Sequence, residues 1–222
     1  EYAVPKVITF NAEVKATAIL GNDEAITGTK RGELIIWNLH TATPVRQIQI
    51  SATLEGQNQM LLPPHNDIVH SIAVSKDGNY IVTGSKDMTV RVWHKPDERL
   101  LHTLTGHADE VYSVCISLDS EVIISGSIDG SIRVWRLRDG NQMCWFTSNI
   151  EILEVKISND KRCIVALGER HGYRKLIMLQ ILRNRTRFAT TLRSSGSRSQ
   201  LGSGAPYSPG MGTGPSSPMM VP

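Results

Sequence analysis

The sequence predicts an all-β protein made of four-stranded sheets that repeat along the chain. Three observations support this prediction: tryptophans that follow glycines at a fixed distance, a constant interval between two successive repeats, and short apolar runs separated by turn residues. No part of the 222 residues shows sustained helical periodicity, so a fold of alternating helices and strands is not expected.

The tryptophans show the repeat most clearly. Trp37, Trp93 and Trp135 each stand nine residues after a glycine that is flanked on both sides by Ser or Thr. His65 and His107 precede Trp93 and Trp135, respectively, by the same distance, so both residue types recur at one interval. That interval is about 42 residues, and intervals of roughly 40–45 residues are typical of four-stranded propeller blades. The sequence therefore predicts blades of a β-propeller.

The two clearest periods each divide into four short runs that are rich in apolar and β-branched residues. Turn-forming pairs such as Asp77-Gly78 and Asp139-Gly140 separate several of these runs, which favours hairpins. We therefore predict eight strands in these two periods, over residues 68–75, 80–84, 89–93, 100–104, 111–117, 122–126, 131–135 and 142–146.

A weaker period follows the second of these. Apolar runs predict strands over residues 153–158, 163–167 and 175–181, but the period has no Trp and no His at the equivalent place. We predict an enlarged turn over residues 169–173 and a last strand over residues 187–192.

The two clearest periods resemble the WD40-repeat family. In both, a His is followed by a Ser/Thr-Gly-Ser-x-Asp segment and then by a strand that ends in Trp. Two departures are Pro64, where Gly is usual, and the absence of the family's Asp after Trp93 and Trp135. The segments that carry the resemblance are His65, 83–87 and 90–93 in the earlier period, and 106–107, 111–114, 125–129 and 132–135 in the later one.

The resemblance implies a hydrogen-bonded tetrad in each of these two repeats. An indole N–H can only donate, a hydroxyl can accept from it, and a carboxylate that accepts from imidazole fixes the tautomer of the ring. Such a network would make buried polar groups tolerable and would connect strands across a blade. The implied structural tetrads are His65, Thr83, Asp87 and Trp93, and His107, Ser125, Asp129 and Trp135.

The chain is expected to divide into a WD40-type propeller segment over residues 1–193 and a disordered tail over residues 194–222. The tail is rich in Ser, Gly and Pro and has few large apolar residues with which to offset the entropy of ordering. About four blades are visible, whereas propellers usually have four to eight blades and those of the WD type most often six to eight, so we expect these blades to belong to a larger propeller. The predicted blades cover residues of about 12–50, 65–105, 107–147 and 151–192.

The charge balance argues against a broad nucleic-acid-binding face. The chain has 24 Lys and Arg against 21 Asp and Glu, a formal net charge of +3. Five of the arginines and no acidic residue fall within residues 182–222, so the rest of the chain carries a small negative charge. We therefore do not expect nucleic acid as the partner.

Three cysteines imply no disulfide framework, and no apolar run is long enough to span a membrane. This cysteine usage favours the cytoplasm, with the nucleus as the alternative.

Ser125, His107 and Asp129 are the residue types of a hydrolase triad, but the same set recurs one period earlier with Thr in place of Ser. Catalytic sites are not normally duplicated blade by blade, and no Gly-x-Ser-x-Gly motif accompanies the set. No compact group of His and Cys has the spacing of metal ligands. The sequence therefore predicts no enzyme, no cofactor and no metal site.

The expected function is that of a non-catalytic scaffold that binds other proteins or peptides through the loop face of the propeller. Tyr112 is the expected anchor, because aromatic side chains carry a large share of binding energy at interfaces. Acidic residues among the candidates favour a basic peptide segment. The candidate partner-binding residues are Asn66, Asp67, Lys86, Asp109, Glu110, Tyr112 and Ile128.

Two alternatives belong to other classes. The chain could be the C-terminal sensor or regulatory propeller of a larger NACHT-type signalling ATPase, whose phosphate-binding loop would lie upstream. It could also be an RNA-associated propeller that binds through Arg183, Arg185 and Arg187, in which case binding would be sensitive to salt.

Overall fold

The computed structural model describes residues 13–52, 60–181 and 189–190, all of which lie in the first of the chain's two units, residues 1–192. Every sheet in this described part is antiparallel, and none of its residues is helical. There are four sheets of four strands and one of two strands. The prediction of an all-β fold built from four-stranded blades is confirmed. The disordered tail predicted over residues 194–222 lies outside the described residues.

The four-stranded sheets follow one another along the chain, and we number them blades 1 to 4. In blade 1 the strands are paired in chain order and are β1 (Val14–Ile19), β2 (Glu24–Thr29), β3 (Leu34–Asn38) and β4 (Thr43–Ile48). Between blades 1 and 2 a small hairpin is formed by β5 (Ile50–Ala52) and β6 (Met60–Leu62). The insertion between the first two tryptophans therefore contains a separate two-stranded sheet.

Blades 2 and 3 have the same connectivity as blade 1, and their strands agree with the eight predicted ones to within a residue. Blade 2 contains β7 (Val69–Val74), β8 (Tyr80–Ser85), β9 (Val90–His94) and β10 (Arg99–Leu104). Blade 3 contains β11 (Val111–Ile116), β12 (Val122–Ser127), β13 (Ser131–Arg136) and β14 (Gln142–Thr147).

Blade 4 completes the described sheets. Its strands are β15 (Glu151–Ile157), β16 (Cys163–Arg170), β17 (Tyr173–Gln180) and the short β18 (Ala189–Thr190). The prediction of an enlarged turn over residues 169–173 is wrong, because Arg170 pairs with Tyr173 and leaves a turn of two residues. Those two residues, His171 and Gly172, both have positive φ (53° and 78°), as a type I′ hairpin turn requires.

Adjacent blades pack through a glycine in the second strand of one blade and a branched side chain in the first strand of the next. A Cβ atom on any of these glycines would lie only 2.5–2.9 Å from a side-chain carbon of its partner, so a larger residue would push the blades apart. These are the glycines whose distance to the tryptophans revealed the repeat. The three pairs are Gly28 with Val69, Gly84 with Val111 and Gly126 with Ile152.

Hydrogen bonds repeat across the same junctions. The Ser71 hydroxyl of blade 2 accepts from the Val114 N–H of blade 3 at 3.1 Å, and the Ser113 hydroxyl of blade 3 accepts from the Val155 N–H of blade 4 at 3.1 Å. Apolar clusters fill the space between blades 1 and 2, 2 and 3, and 3 and 4. The blade 2–blade 3 and blade 3–blade 4 junctions are therefore built to one pattern, and residues can be matched between them by register.

Each first strand contains a β-bulge, a single extra residue that has no partner in the neighbouring strand. In β11, for example, Val111 pairs with Ser127 and Ser113 pairs with Gly126, which leaves Tyr112 unmatched. Bulges turn side chains out of the regular alternation of a strand and commonly occur next to functional sites. The four residues in this position, which we call the bulge residues, are Lys15, His70, Tyr112 and Leu153.

Candidate partner-binding face

The structure brings the four residues of the first predicted tetrad together. The Trp93 Nε1–H donates to the Thr83 hydroxyl at 3.1 Å, and the Thr83 hydroxyl lies 2.6 Å from His65 Nε2. His65 Nδ1 lies 2.9 Å from Asp87 Oδ2. The His65 side chain is fully buried, and Thr83 and Trp93 are fully buried as well.

These distances define one direction of donation through the network. Because the Asp87 carboxylate only accepts, His65 Nδ1 carries the proton and donates to it, so Nε2 of the neutral ring accepts from the Thr83 hydroxyl, whose oxygen accepts from the Trp93 N–H. Burial lowers the pKa of His65 and outweighs the opposing effect of Asp87, so the ring is neutral. Burial acts to raise the pKa of Asp87, but the hydrogen bond from His65 and further donors hold it well below its ordinary value. The contact is thus a hydrogen bond from neutral imidazole to carboxylate.

The second tetrad repeats this arrangement in the next blade. The Trp135 Nε1–H donates to the Ser125 hydroxyl at 2.8 Å, the hydroxyl lies 2.7 Å from His107 Nε2, and His107 Nδ1 lies 3.0 Å from Asp129 Oδ2. Burial lowers the pKa of His107. Burial also acts to raise the pKa of Asp129, but hydrogen bonds from Ser131 and a backbone N–H outweigh it and lower the pKa to about 2.

The tetrads anchor the turns that carry the predicted partner-binding residues. Asp87 accepts from the backbone N–H of Asn66 at 3.2 Å, and Asp129 accepts from the backbone N–H of Ala108 at 2.9 Å. Each carboxylate therefore connects the turn between the second and third strands of its blade to the segment that leads into the first strand. The loop face is thereby held to the rigid interior of each blade.

Three of the seven predicted residues meet at the junction of blades 2 and 3. Glu110 accepts from Lys86 at 3.0 Å and lies 2.9 Å from His70 Nε2. The Tyr112 ring stacks on His70, with ring centroids 4.3 Å apart and an interplanar angle of 25°. Burial acts to raise the pKa of Glu110, but Lys86 and His70 outweigh it and hold the pKa below its ordinary value. An aromatic pair and an ion pair thus share one half-exposed surface.

The other four predicted residues border this cluster and form no ion pair or side-chain-to-side-chain hydrogen bond with its members. The N–H of Ile128 donates to the backbone oxygen of Glu110 at 3.1 Å. Asp67 and Asp109 each accept, through their own side chain, from the N–H of the next residue, at 2.7 and 2.8 Å. Asn66 is exposed and contributes its backbone N–H to the first tetrad.

Sequence reasoning missed His70. Its side chain is largely buried and contacts both Glu110 and Tyr112. The available signal was its distance from Tyr112, which equals the interval between the tetrad histidines and gives both residues the same place in the repeat. The prediction of Tyr112 as an aromatic anchor could therefore have been extended to His70, the equivalent residue of the preceding blade.

Other kinds of site were also considered. Within the described part of the chain, no group of three or more His, Cys, Asp or Glu side chains could hold a metal ion. No helix long and apolar enough to cross a membrane occurs in the same residues. A groove of about 460 Å³ lies between blades 2 and 3 at the opposite edge from Tyr112, with Tyr80, Leu101 and Met143 in its lining.

Comparison with known proteins agrees with this geometry. The family model for the WD domain, G-beta repeat, matches residues 56–94 and 98–136, which include both tetrads. The ribosome biogenesis protein BOP1 homolog of Anopheles gambiae is 36% identical over 59 residues, which is 27% of this chain and 6% of that protein.

Two solved structures show the same fold. The structure of U3-55K has a TM-score of 0.66 and 18% identity, covering 82% of this chain and 53% of the other. The structure of the RRP9 WD40 repeats has a TM-score of 0.64 and 17% identity, covering 78% and 50%. This chain therefore spans about half the length of either structure. Residues 56–94 and 98–136 therefore match two WD40 repeats, each with a complete tetrad, and the described residues share the fold of WD40-repeat β-propellers.

Proposed function

We propose that this chain is a non-catalytic scaffold that binds a protein partner through the loop face, with Tyr112 at the centre of the contact. The observation that carries the proposal is the stacked and ion-paired cluster of His70, Lys86, Glu110 and Tyr112. Its aromatic ring is held in place before any partner arrives, so little side-chain entropy is lost on binding.

The chemistry of the tetrads supports a structural role rather than a catalytic one. Ser125 is fully buried, and its hydroxyl already lies between the Trp135 N–H and His107 Nε2. A nucleophile needs access to its substrate and a base that is free to take its proton. The same network stands in blade 2 with Thr83, which fits a repeated strand-packing device.

The proposal can be tested by affinity capture with the full chain and two tyrosine variants. We expect Tyr112→Ala to reduce recovery of the partner about five- to thirtyfold, the range for removal of an interface hot spot. Tyr173→Ala is the matched control, because Tyr173 is 75% exposed on blade 4 and lies outside the cluster. Equal recovery with Tyr112→Ala and with the unaltered chain would exclude this face.

A second candidate is a scaffold within a ribosome-biogenesis assembly, favoured by the match to the BOP1 homolog. If the chain reached such an assembly through RNA, binding should weaken steeply with salt and disappear when residues 183–222 are deleted. If the chain joins the assembly through protein contacts, Tyr112→Ala should remove it from the assembly, whereas deletion of residues 183–222 should not. The NACHT-type alternative gains no support from the relatives described above and stays a prediction about sequence upstream.

A further inference from the structure

In blades 1, 3 and 4 a glutamate occupies one position of the repeat, directly before the residue that is the last to pair ahead of the bulge. Glu13 precedes Val14, Glu110 precedes Val111, and in blade 4 the carboxylate of Glu151 precedes Ile152. The residues that follow are matched by register, since each is the last to pair before the bulge. The three glutamates can therefore be compared as equivalents.

Two of these three carboxylates are each bonded to two side chains within the protein. Glu13 lies 2.5 Å from Lys15 and 3.3 Å from Lys30, both in its own blade. Glu110 takes its partners from the preceding blade, and both belong to the cluster described above. In both cases one partner is a bulge residue, and the other follows the end of a second strand.

Glu151 has no such partner. It is exposed, and it forms no ion pair or side-chain hydrogen bond with any residue for which the structure gives a position. None of the four equivalent positions carries a basic side chain: they are occupied by Tyr112 and Ile128 in blade 3 and by Leu153 and Glu169 in blade 4.

The surroundings of Glu151 suit a cation that the described residues do not supply. The junction has the same packing as the blade 2–blade 3 junction, where a carboxylate binds a lysine from its neighbour. His70 stacks on the Tyr112 ring, and the tyrosine side chain stays partly exposed. Aromatic and aliphatic surface beside a carboxylate can hold the stem of a lysine or the plane of a guanidinium.

We propose that the junction of blades 3 and 4 binds a lysine or arginine side chain of the partner protein, with Glu151 as its counter-ion and Tyr112 and Ile128 as the wall beside it. This inference rests on the proposed function and names the chemistry of the partner. Asp109, exposed and without an ion pair in the described part of the chain, adds negative charge in the preceding turn.

The test selects random twelve-residue displayed peptides on the full chain and on four variants. We expect the peptides selected on the unaltered chain and on the control Glu154→Gln to be enriched in Lys and Arg at one position. Glu151→Gln should lose this enrichment. Ile128→Lys should lose it too, because it would recreate the pairing that Lys86 makes with Glu110 and fill the site from within.

The best basic peptide is then measured by fluorescence anisotropy, where Glu151→Gln should weaken binding about three- to tenfold. A pool without basic enrichment, or equal enrichment on Glu151→Gln, would overturn the inference. If such peptides still require Tyr112, as tested with the fourth variant, Tyr112→Ala, the proposed function survives and this inference alone fails. Peptides that bind Tyr112→Ala as well as the unaltered chain would defeat both.

Discussion

Blades 3 and 4 differ in the side chains that pack between their second and third strands. In blade 3 the second and third strands meet through Ser125 and Trp135, joined by a hydrogen bond and linked onward to a histidine. In blade 4 the matching positions are Ala166 and Leu179, both buried and without polar side-chain atoms. The strands pair in the same order in both blades.

This difference shows that the tetrad is one way of filling a blade and not a requirement for forming it. Its members nevertheless depend on one another, because a buried donor or acceptor that loses its partner keeps the full cost of desolvation. Blade 1 is intermediate: Trp37 donates to Thr27 at 2.9 Å, while Arg31 stands where the tetrads have Asp. Four measurements would sharpen or break the comparison.

The largest effect is expected for Trp93→Ala. The side chain is fully buried between blades 1 and 2, so its loss leaves a large cavity and removes the N–H from which the Thr83 hydroxyl accepts. We expect the free energy of unfolding to fall by about 3–5 kcal/mol. Chemical denaturation measures this, and Leu179→Ala in blade 4 provides the apolar counterpart. A loss far below this range for Trp93→Ala would mean that the blade tolerates the cavity.

A smaller effect is expected for Ser125→Ala, which removes one hydroxyl and leaves the Trp135 N–H and the His107 ring nitrogen unsatisfied. The expected loss is about 1–3 kcal/mol of unfolding free energy. The reciprocal change Ala166→Ser should also destabilise, since it buries a hydroxyl beside Leu179. Thr103→Ala, an exposed hydroxyl on β10, is the control and should change little. A neutral result for Ser125→Ala would show that the network contributes nothing.

Stability should fall as the pH falls below the unfolded-state pKa of histidine. Because burial lowers the folded-state pKa of His65 and His107, the unfolded chain binds more protons in this range, and each histidine contributes a slope of up to about 1.4 kcal/mol per pH unit. Denaturation between pH 7.5 and pH 5 measures the total. His107→Gln should reduce the slope relative to the unaltered chain, and an unchanged slope would contradict a neutral buried ring.

The smallest effect is expected for Lys161→Ala. Lys161 of blade 4 pairs with Asp119 and Glu121 of blade 3 at the edge opposite to the Glu110 cluster, and both acids are partly exposed. Pairs of this kind contribute about 0–1 kcal/mol, and salt weakens them further. Thermal unfolding at low and high salt should show a small loss that shrinks with salt. A loss as large as that of Ser125→Ala would identify this pair as a main connection between the blades.

Much of the fold was predictable because its determinants are local. Glycines, turn residues and tryptophans mark strand ends within a few positions of themselves, and the predicted strands of blades 2 and 3 match the observed ones. The tight turn at His171 and Gly172 was missed because a histidine with positive φ is uncommon and gives little sequence signal.

The candidate site was harder to predict because its contacts cross from one blade to the next. Lys86 and Glu110 belong to different repeats, and only the packing of a glycine against a valine in the next blade brings them together. The contacts of His70 with Glu110 and Tyr112, and the lack of an ion-pair partner for Glu151 among the described residues, depend on the same inter-blade register. A pattern within one repeat cannot reveal either of them, although matching residues between repeats can.

The bulge in each first strand separates two demands on the sequence. The residue before it is Val or Ile in all four described blades, and in blades 2, 3 and 4 its branched apolar side chain packs on a glycine of the preceding blade. The extra residue itself has no place in the hydrogen-bonded ladder, and the chain varies it freely as Lys, His, Tyr and Leu. Substitutions at the four bulge residues are therefore expected to change which partner the protein binds without disrupting the fold.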